Sequence, residues 1–84
     1  MIDSLELRKQ VRVILSTRGA DETLPEGYLL AALSRFFPET VRPSEMMHAL
    51  WWNEARGWVE KRRNRDEERD EWKLTDHGRV KEGV

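Results

Sequence analysis

The chain has 84 residues, 37% of them charged, with no cysteine and a formal net charge of −1. The lack of cysteine excludes disulfides, thiolate zinc sites and thiol nucleophiles, so a domain of this size must be stabilised by apolar packing. No apolar run approaches the roughly 18 residues that a membrane-spanning helix requires, and we expect one soluble, cytoplasmic domain.

The first 18 residues have the pattern of an amphipathic helix. Asp3 and Glu6 have the spacing of a capping box, in which two side chains satisfy free backbone N–H groups at a helix start. Apolar residues then recur at helical spacing, in one stripe: Leu7, Val11, Ile14 and Leu15. The neighbouring cations lie outside that stripe: Arg8, Lys9 and Arg12. Because Gly19 is a natural stop, the pattern predicts helix one over residues 4–18.

A polar connector, residues 20–24, follows and has room for a short edge strand. Pro25 suits the first position of a helix, and Glu26 favours the positive end of the helix dipole. The next residues predict a largely buried helix two over residues 25–37, with a wide apolar face: Tyr28, Leu29, Ala32, Leu33, Phe36 and Phe37. Pro38 ends it, and Val41 in the following turn is expected to fill the angle between two helices.

Helix three is predicted over residues 43–56, with Gly57 as its C-terminal stop. Stepping 100° per residue from Met46 places Ala49, Leu50 and Asn53 near the centre of the inward side. Two residues fall on the flank, Met47 and Trp51. The remaining set is predicted to project outward: Glu45, His48, Trp52 and Arg56.

Strand character begins at Trp58 and returns at Trp72 after a polar stretch. Antiparallel pairing of the two segments predicts a hairpin over residues 58–74, in which Trp58 and Trp72 cover the core. Residues 75–78 are interpreted as a turn or a helix cap, and residues 79–84 as a frayed tail. The predicted fold class is therefore mostly α with a small antiparallel β-hairpin.

The hairpin carries a basic cluster followed by an acidic one. The cations are Lys61, Arg62, Arg63 and Arg65, and the acids are Asp66, Glu67, Glu68, Asp70 and Glu71. Two interpretations stay open at this point. The cations are free to contact phosphate, or they pair across the hairpin with the acids, for about 0.2–1 kcal/mol each.

The sequence offers little for catalysis. His48 and His77 are too few and too far apart for a metal set, and Ser44 has no partner in a recognisable nucleophile motif. There is no phosphate-cradling glycine loop, and the acids lack the spacing of a calcium loop. We expect no enzyme activity, no cofactor and no bound metal.

Taken together, the elements resemble the winged helix-turn-helix superfamily of bacterial and phage regulators. The residues that carry the resemblance are VRPSEMMHAL at the entry to helix three, EARGWVEKR at its exit and WKLTDHGR after the returning strand. It covers the chain from Leu5 to Arg79. The fold that it implies is a three-helix core with the hairpin as a wing.

The resemblance implies a small protein that binds double-stranded DNA, as a transcriptional regulator or a phage or mobile-element accessory factor. In that family the third helix enters the major groove and the wing contacts phosphates or the minor groove. The DNA-binding positions that it implies here are Arg42, Ser44, His48, Trp52, Arg56, Lys61, Arg62, Arg63 and Arg65.

The alternative is a protein-interaction module with the same fold. Helix three departs from the family pattern because it presents aromatic and apolar side chains where arginine, serine, threonine or glutamine are common. Exposed apolar clusters often mark partner sites, and the contact patch would then consist of Met47, Trp51 and Trp52. A homodimer would also double the phosphate contacts of a weakly charged module. We expect no membrane partner.

Overall fold

The computed structural model describes residues 2–84, which form four helices and a small antiparallel sheet. The elements in chain order are α1 (Ser4–Ser16), β1 (Leu24–Pro25), α2 (Glu26–Phe36), α3 (Pro43–Ala55), β2 (Val59–Asn64), β3 (Arg69–Leu74) and α4 (Asp76–Glu82). The predicted class, mostly helical with a small antiparallel sheet, is confirmed at this level.

Helix α1 begins where the sequence places its cap. The Asp3 carboxylate accepts hydrogen bonds from the backbone N–H groups of Leu5 (2.8 Å) and Glu6 (3.4 Å), which have no partner within the helix. Leu7, Val11 and Leu15 of its apolar stripe are buried, and Ile14 is partly buried. Arg12, which the sequence places outside the stripe, is buried too. Arg12 is buried because of the tertiary structure, in which it lies between α3 and α4 and contacts polar groups of both.

Six residues, 37–42, join α2 to α3, and two of them anchor the turn. Phe37 and Val41 are buried and belong to the hydrophobic core. Helix α3 then begins at Pro43, whose missing N–H costs nothing at a helix start. The Glu45 carboxylate accepts a 2.9 Å hydrogen bond from the Arg42 backbone N–H and closes the first turn.

The sheet has three strands in the order β1-β3-β2, so the hairpin is extended by the strand before α2. Trp72 is the centre of this arrangement because Leu24 pairs with it on one side and Lys61 on the other. Its side chain is fully buried, and its indole N–H donates to the Glu26 carboxylate at 2.8 Å. The sheet thereby covers one side of the core with the side chains of Trp72, Val59 and Leu74.

Residues 75–78, interpreted as a turn or a helix cap, form the capped start of α4, but the frayed tail predicted over residues 79–84 is wrong because the helix continues to Glu82. The Thr75 hydroxyl caps it by accepting from the Gly78 N–H at 2.9 Å, and Gly83 ends it in the left-handed region at φ 74°. A seven-residue helix has little stability of its own. It is held by the buried ion pair between Glu82 and Arg12, at 3.0 Å.

Gly78 fixes how closely α4 approaches the sheet. A Cβ at this position would lie 2.0 Å from the carbonyl oxygen of Trp58 and 2.9 Å from a Leu74 methyl group. Gly27, in contrast, lies in the first turn of α2 with nothing within 4 Å of an added Cβ. The two glycines therefore have opposite tolerance for alanine.

Gly78→Ala should lower the free energy of unfolding by about 1–3 kcal/mol, because the clash is with backbone that cannot move aside without shifting α4. Gly27→Ala is the control and should leave stability unchanged or raise it by up to about 1 kcal/mol through helix propensity. Urea unfolding followed by circular dichroism measures both. Equal stability of the two variants would contradict the close packing of α4.

Candidate nucleic-acid interface

One face of α3 is exposed along its whole length. Ser44, His48, Trp51 and Ala55 are all exposed and recur at helical spacing, and we call them the α3 stripe. The opposite face is buried against the core: Met46, Ala49, Leu50 and Asn53. Within the stripe, the His48 and Trp51 rings lie 5.6 Å apart, and the Trp51 side chain is 51% exposed.

Trp52 does not lie on the exposed face, contrary to the prediction from the helical wheel. It is half-buried between two guanidinium groups, those of Arg56 at 3.4 Å and Arg8 at 4.5 Å from its ring centroid. The Trp58 ring packs beside it at 5.7 Å. Because Arg8 of α1 and Arg56 both lie against it, Trp52 is half-buried, whereas Trp51 is exposed.

The two cations predicted beside α3 lie at its ends. Arg42 is exposed at the N-terminal cap, and Arg56 is exposed at the C-terminal cap, where it stacks on Trp52 and donates to the Trp52 carbonyl at 3.3 Å. Glu54 is exposed on the flank of the stripe. The stripe itself carries no carboxylate.

The basic cluster of the hairpin is exposed, and half of it is paired. Arg63 contacts Asp70 across the strands at 3.3 Å, and Arg62 contacts Glu60 on its own strand at 3.4 Å. Lys61 and Arg65 have no carboxylate within 4.0 Å in residues 2–84. Pairing across the hairpin therefore applies to Arg63 alone, whereas Arg62 pairs within its own strand.

Glu71 anchors the turn end of the hairpin, a role that its place among the hairpin acids does not reveal. Its buried carboxylate accepts from the Thr23 hydroxyl, the Arg69 guanidinium (2.9 Å) and the Asn64 amide (2.9 Å). These hydrogen bonds, with Thr23 contributing most, lower the pKa of Glu71 from 4.5 to about 2. The carboxylate thus connects both strands of the hairpin to the segment before β1.

Asn53 orients α3 against α1. Its fully buried amide accepts from Arg12 at 2.9 Å and donates to the backbone carbonyls of Ala49 (2.9 Å) and Arg8 (3.2 Å). The sequence did contain a signal for this role, because Asn53 falls on the inward face of the predicted helix. A buried amide requires hydrogen-bond partners, but the sequence does not say which residues supply them.

Comparison of the chain with protein-family models, with curated proteins and with solved structures gives no match. Across residues 2–84, the helices are too short or too polar to cross a lipid bilayer.

Replacing Glu71 with glutamine should destabilise the chain at neutral pH, and the loss should depend on pH. Because the pKa is lowered on folding, the carboxylate stabilises the fold above about pH 4.5 and loses that contribution as the pH falls toward 2. The difference in unfolding free energy between the unmodified chain and Glu71→Gln should therefore stay constant above about pH 5 and shrink between pH 4.5 and 2. Urea unfolding at a series of pH values measures it.

The control for this prediction is Glu39→Gln, which removes an exposed carboxylate from the turn before α3. The free energy of unfolding of Glu39→Gln should be nearly equal to that of the unmodified chain at every pH. A Glu71→Gln difference that stays constant down to pH 2 would contradict the anchoring role.

Proposed function

We propose that the chain is a winged helix-turn-helix protein that binds double-stranded DNA, with α3 in the major groove and the β2–β3 hairpin as the wing on the phosphate backbone. The order of elements supports this arrangement. Helix α3 follows α2 after a six-residue turn, and β2 starts four residues after α3 ends. An exposed helix beside an exposed ribbon suits a groove and the backbone at its edge.

The observation that carries the proposal is the distribution of unpaired cations around α3. Among residues 2–84, the charged side-chain nitrogens of Lys61 and Arg65 on the hairpin have no carboxylate oxygen within 4.0 Å. The same holds for the guanidinium groups of Arg42 and Arg56 at the ends of α3, although the Arg42 backbone N–H donates to Glu45. Phosphate affinity comes from such cations, each of which displaces condensed counterions from DNA.

The α3 stripe provides the groups that would meet the base edges. Ser44 and His48 carry hydrogen-bonding groups that match donors and acceptors in the major groove, and Trp51 offers an apolar surface for a thymine methyl. Trp52 has no such role in the proposal, since Arg8 and Arg56 cover it. A chain of this kind fits a transcriptional regulator or an accessory factor of a phage or mobile element.

Two double variants test the wing, and both remove two positive charges. Lys61→Ala/Arg65→Ala removes the unpaired cations, so the slope of log affinity against log salt should fall by about 1.8, or 0.9 for each lost phosphate contact. Arg62→Ala/Arg63→Ala is the matched control and should lower it by less than half as much, because those cations already have carboxylate neighbours. Fluorescence anisotropy with a labelled duplex of about 20 base pairs, between 20 and 200 mM salt, measures the slopes.

The unmodified chain should bind duplexes of unrelated sequence at the lowest salt concentration, because phosphate contacts are independent of sequence. An unmodified chain that binds no duplex at about 20 mM salt would reject the proposal. Equal slopes for the two double variants would reject the assignment of Lys61 and Arg65 as the principal wing contacts.

A second candidate is favoured by the exposure of Trp51. With half-buried Met47, it forms an apolar patch on α3 that suits a second copy of the chain as well as a base edge. Trp52 does not belong to this patch because it is covered within its own chain.

Trp51→Arg separates the two candidates. It adds a cation to the α3 stripe, so duplex affinity should be kept or raised, whereas an apolar dimer interface would be lost by burying a charge. Sedimentation velocity without DNA measures the association, and Leu5→Arg, at a 69% exposed position on α1, is the control. An unmodified chain that is monomeric at high concentration would reject the second candidate.

A further inference from the structure

Four cations surround two tryptophans where α1, α3 and α4 meet, and we call this group the indole–cation cluster. Trp52 has Arg56 at 3.4 Å and Arg8 at 4.5 Å from its ring centroid. Trp58 has Lys81 at 5.0 Å and Arg12 at 5.1 Å. All four distances lie within the range of cation–π attraction, so the indoles hold these side chains in place.

The cluster has more positive than negative charge. Arg12 is neutralised by Glu82 at 3.0 Å, and both side chains are about nine-tenths buried. Arg8, Arg56 and Lys81 have no carboxylate within 4.0 Å in the part of the chain that the structure describes. Three cations without counter-ions are thus gathered on one small surface, where they repel one another in the free chain.

This surface borders the α3 stripe. Arg56 directly follows α3, and Trp52 lies one residue beyond Trp51. Arg8 and His48 line the same groove between α1 and α3, which Glu45 also lines. The hairpin cations lie on β2 and its turn, and the cluster is therefore a separate basic surface.

We propose that the indole–cation cluster is a second site for phosphate groups of a nucleic-acid backbone, in which Arg8 and Lys81 join Arg56, the cation that it shares with the end of α3. The choice of duplex DNA as the source of the phosphates rests on the proposed function. Guanidinium groups bind phosphate oxygens through paired hydrogen bonds, and an ammonium adds a point charge. Because the indoles already restrict these side chains, less conformational entropy is lost when phosphate binds.

The charge excess argues against a purely structural role. An uncharged side chain would cover an indole without repulsion, whereas three adjacent cations gain most when an anion joins them. A purely structural cluster would be expected to include a carboxylate beside each cation, as Glu82 lies beside Arg12. Within residues 2–84, Arg12, the most buried of the four cations, is the only one with such a carboxylate.

The first measurement is the salt dependence of duplex binding by Arg8→Gln/Lys81→Gln. The slope of log affinity against log salt should fall by about 1.8, for two lost phosphate contacts. Lys9→Gln/Arg35→Gln, which removes two exposed cations that lie on no indole, is the control and should leave the slope unchanged. If loss of Arg8 impairs folding, the single variant Lys81→Gln can be measured instead, and its slope should fall by about 0.9.

The second measurement uses the four indole N–H signals in a nitrogen-15 spectrum during titration with a 12-base-pair duplex. Trp52 and Trp58 report on the cluster and Trp51 on the α3 stripe. Trp72, fully buried and bonded to Glu26, is the internal control and should not move. We expect the signals of Trp51, Trp52 and Trp58 to shift together, and the shifts of the last two to shrink in Arg8→Gln/Lys81→Gln.

The outcomes separate this inference from the proposed function. Shifts at Trp52 and Trp58 with Trp51 silent would support the phosphate site and reject groove entry by α3. A shift at Trp51 alone, with an unchanged slope in Arg8→Gln/Lys81→Gln, would overturn the phosphate site and leave the proposed function standing. The absence of any shift would overturn both.

Discussion

The buried amide of Asn53 is the constraint on which the arrangement of the candidate site depends. A buried amide must satisfy its donors and acceptor inside the protein, and Asn53 does so with Arg12 and with carbonyls of α1 and α3. Its own backbone carbonyl accepts from the Trp58 N–H at 3.1 Å, directly before β2. One residue therefore sets the rotation of α3, its contact with α1 and the direction in which the hairpin leaves.

The same network explains why a short C-terminal helix belongs to the domain. Arg12 reaches Asn53 with one guanidinium nitrogen and Glu82 with another, so α4 completes the neutralisation of a buried charge. The Trp58 ring lies against Arg12 and Lys81, on the other side of the same junction. In a domain of 84 residues, where apolar burial is limited, polar contacts of this kind determine how the elements are packed.

Local signals were enough to predict the first three helices, whose observed ends lie within two residues of the expected ones. Asp3, Pro43 and the apolar spacing act within a few residues, so they can be interpreted without knowing the fold. Helix α4 depends on Glu82 meeting Arg12, 70 positions away, and no local pattern indicates that contact. The tryptophans of α3 show the same limit, because a helical wheel gives angles between residues but not which flank α1 covers.

The net charge of −1 says little about the electrostatic potential around α3, because many of the carboxylates are bonded within the fold. Many carboxylates are engaged within the fold: Glu26 with Trp72, Glu45 with the start of α3, Glu71 with Arg69 and Glu82 with Arg12. Screening at physiological salt acts over about 8 Å, which is short beside molecular extents of 32 × 30 × 21 Å. Acids on a distant face would therefore weaken the proposed phosphate binding little, whereas the exposed acids that follow Arg65 in the hairpin turn are close enough to oppose it.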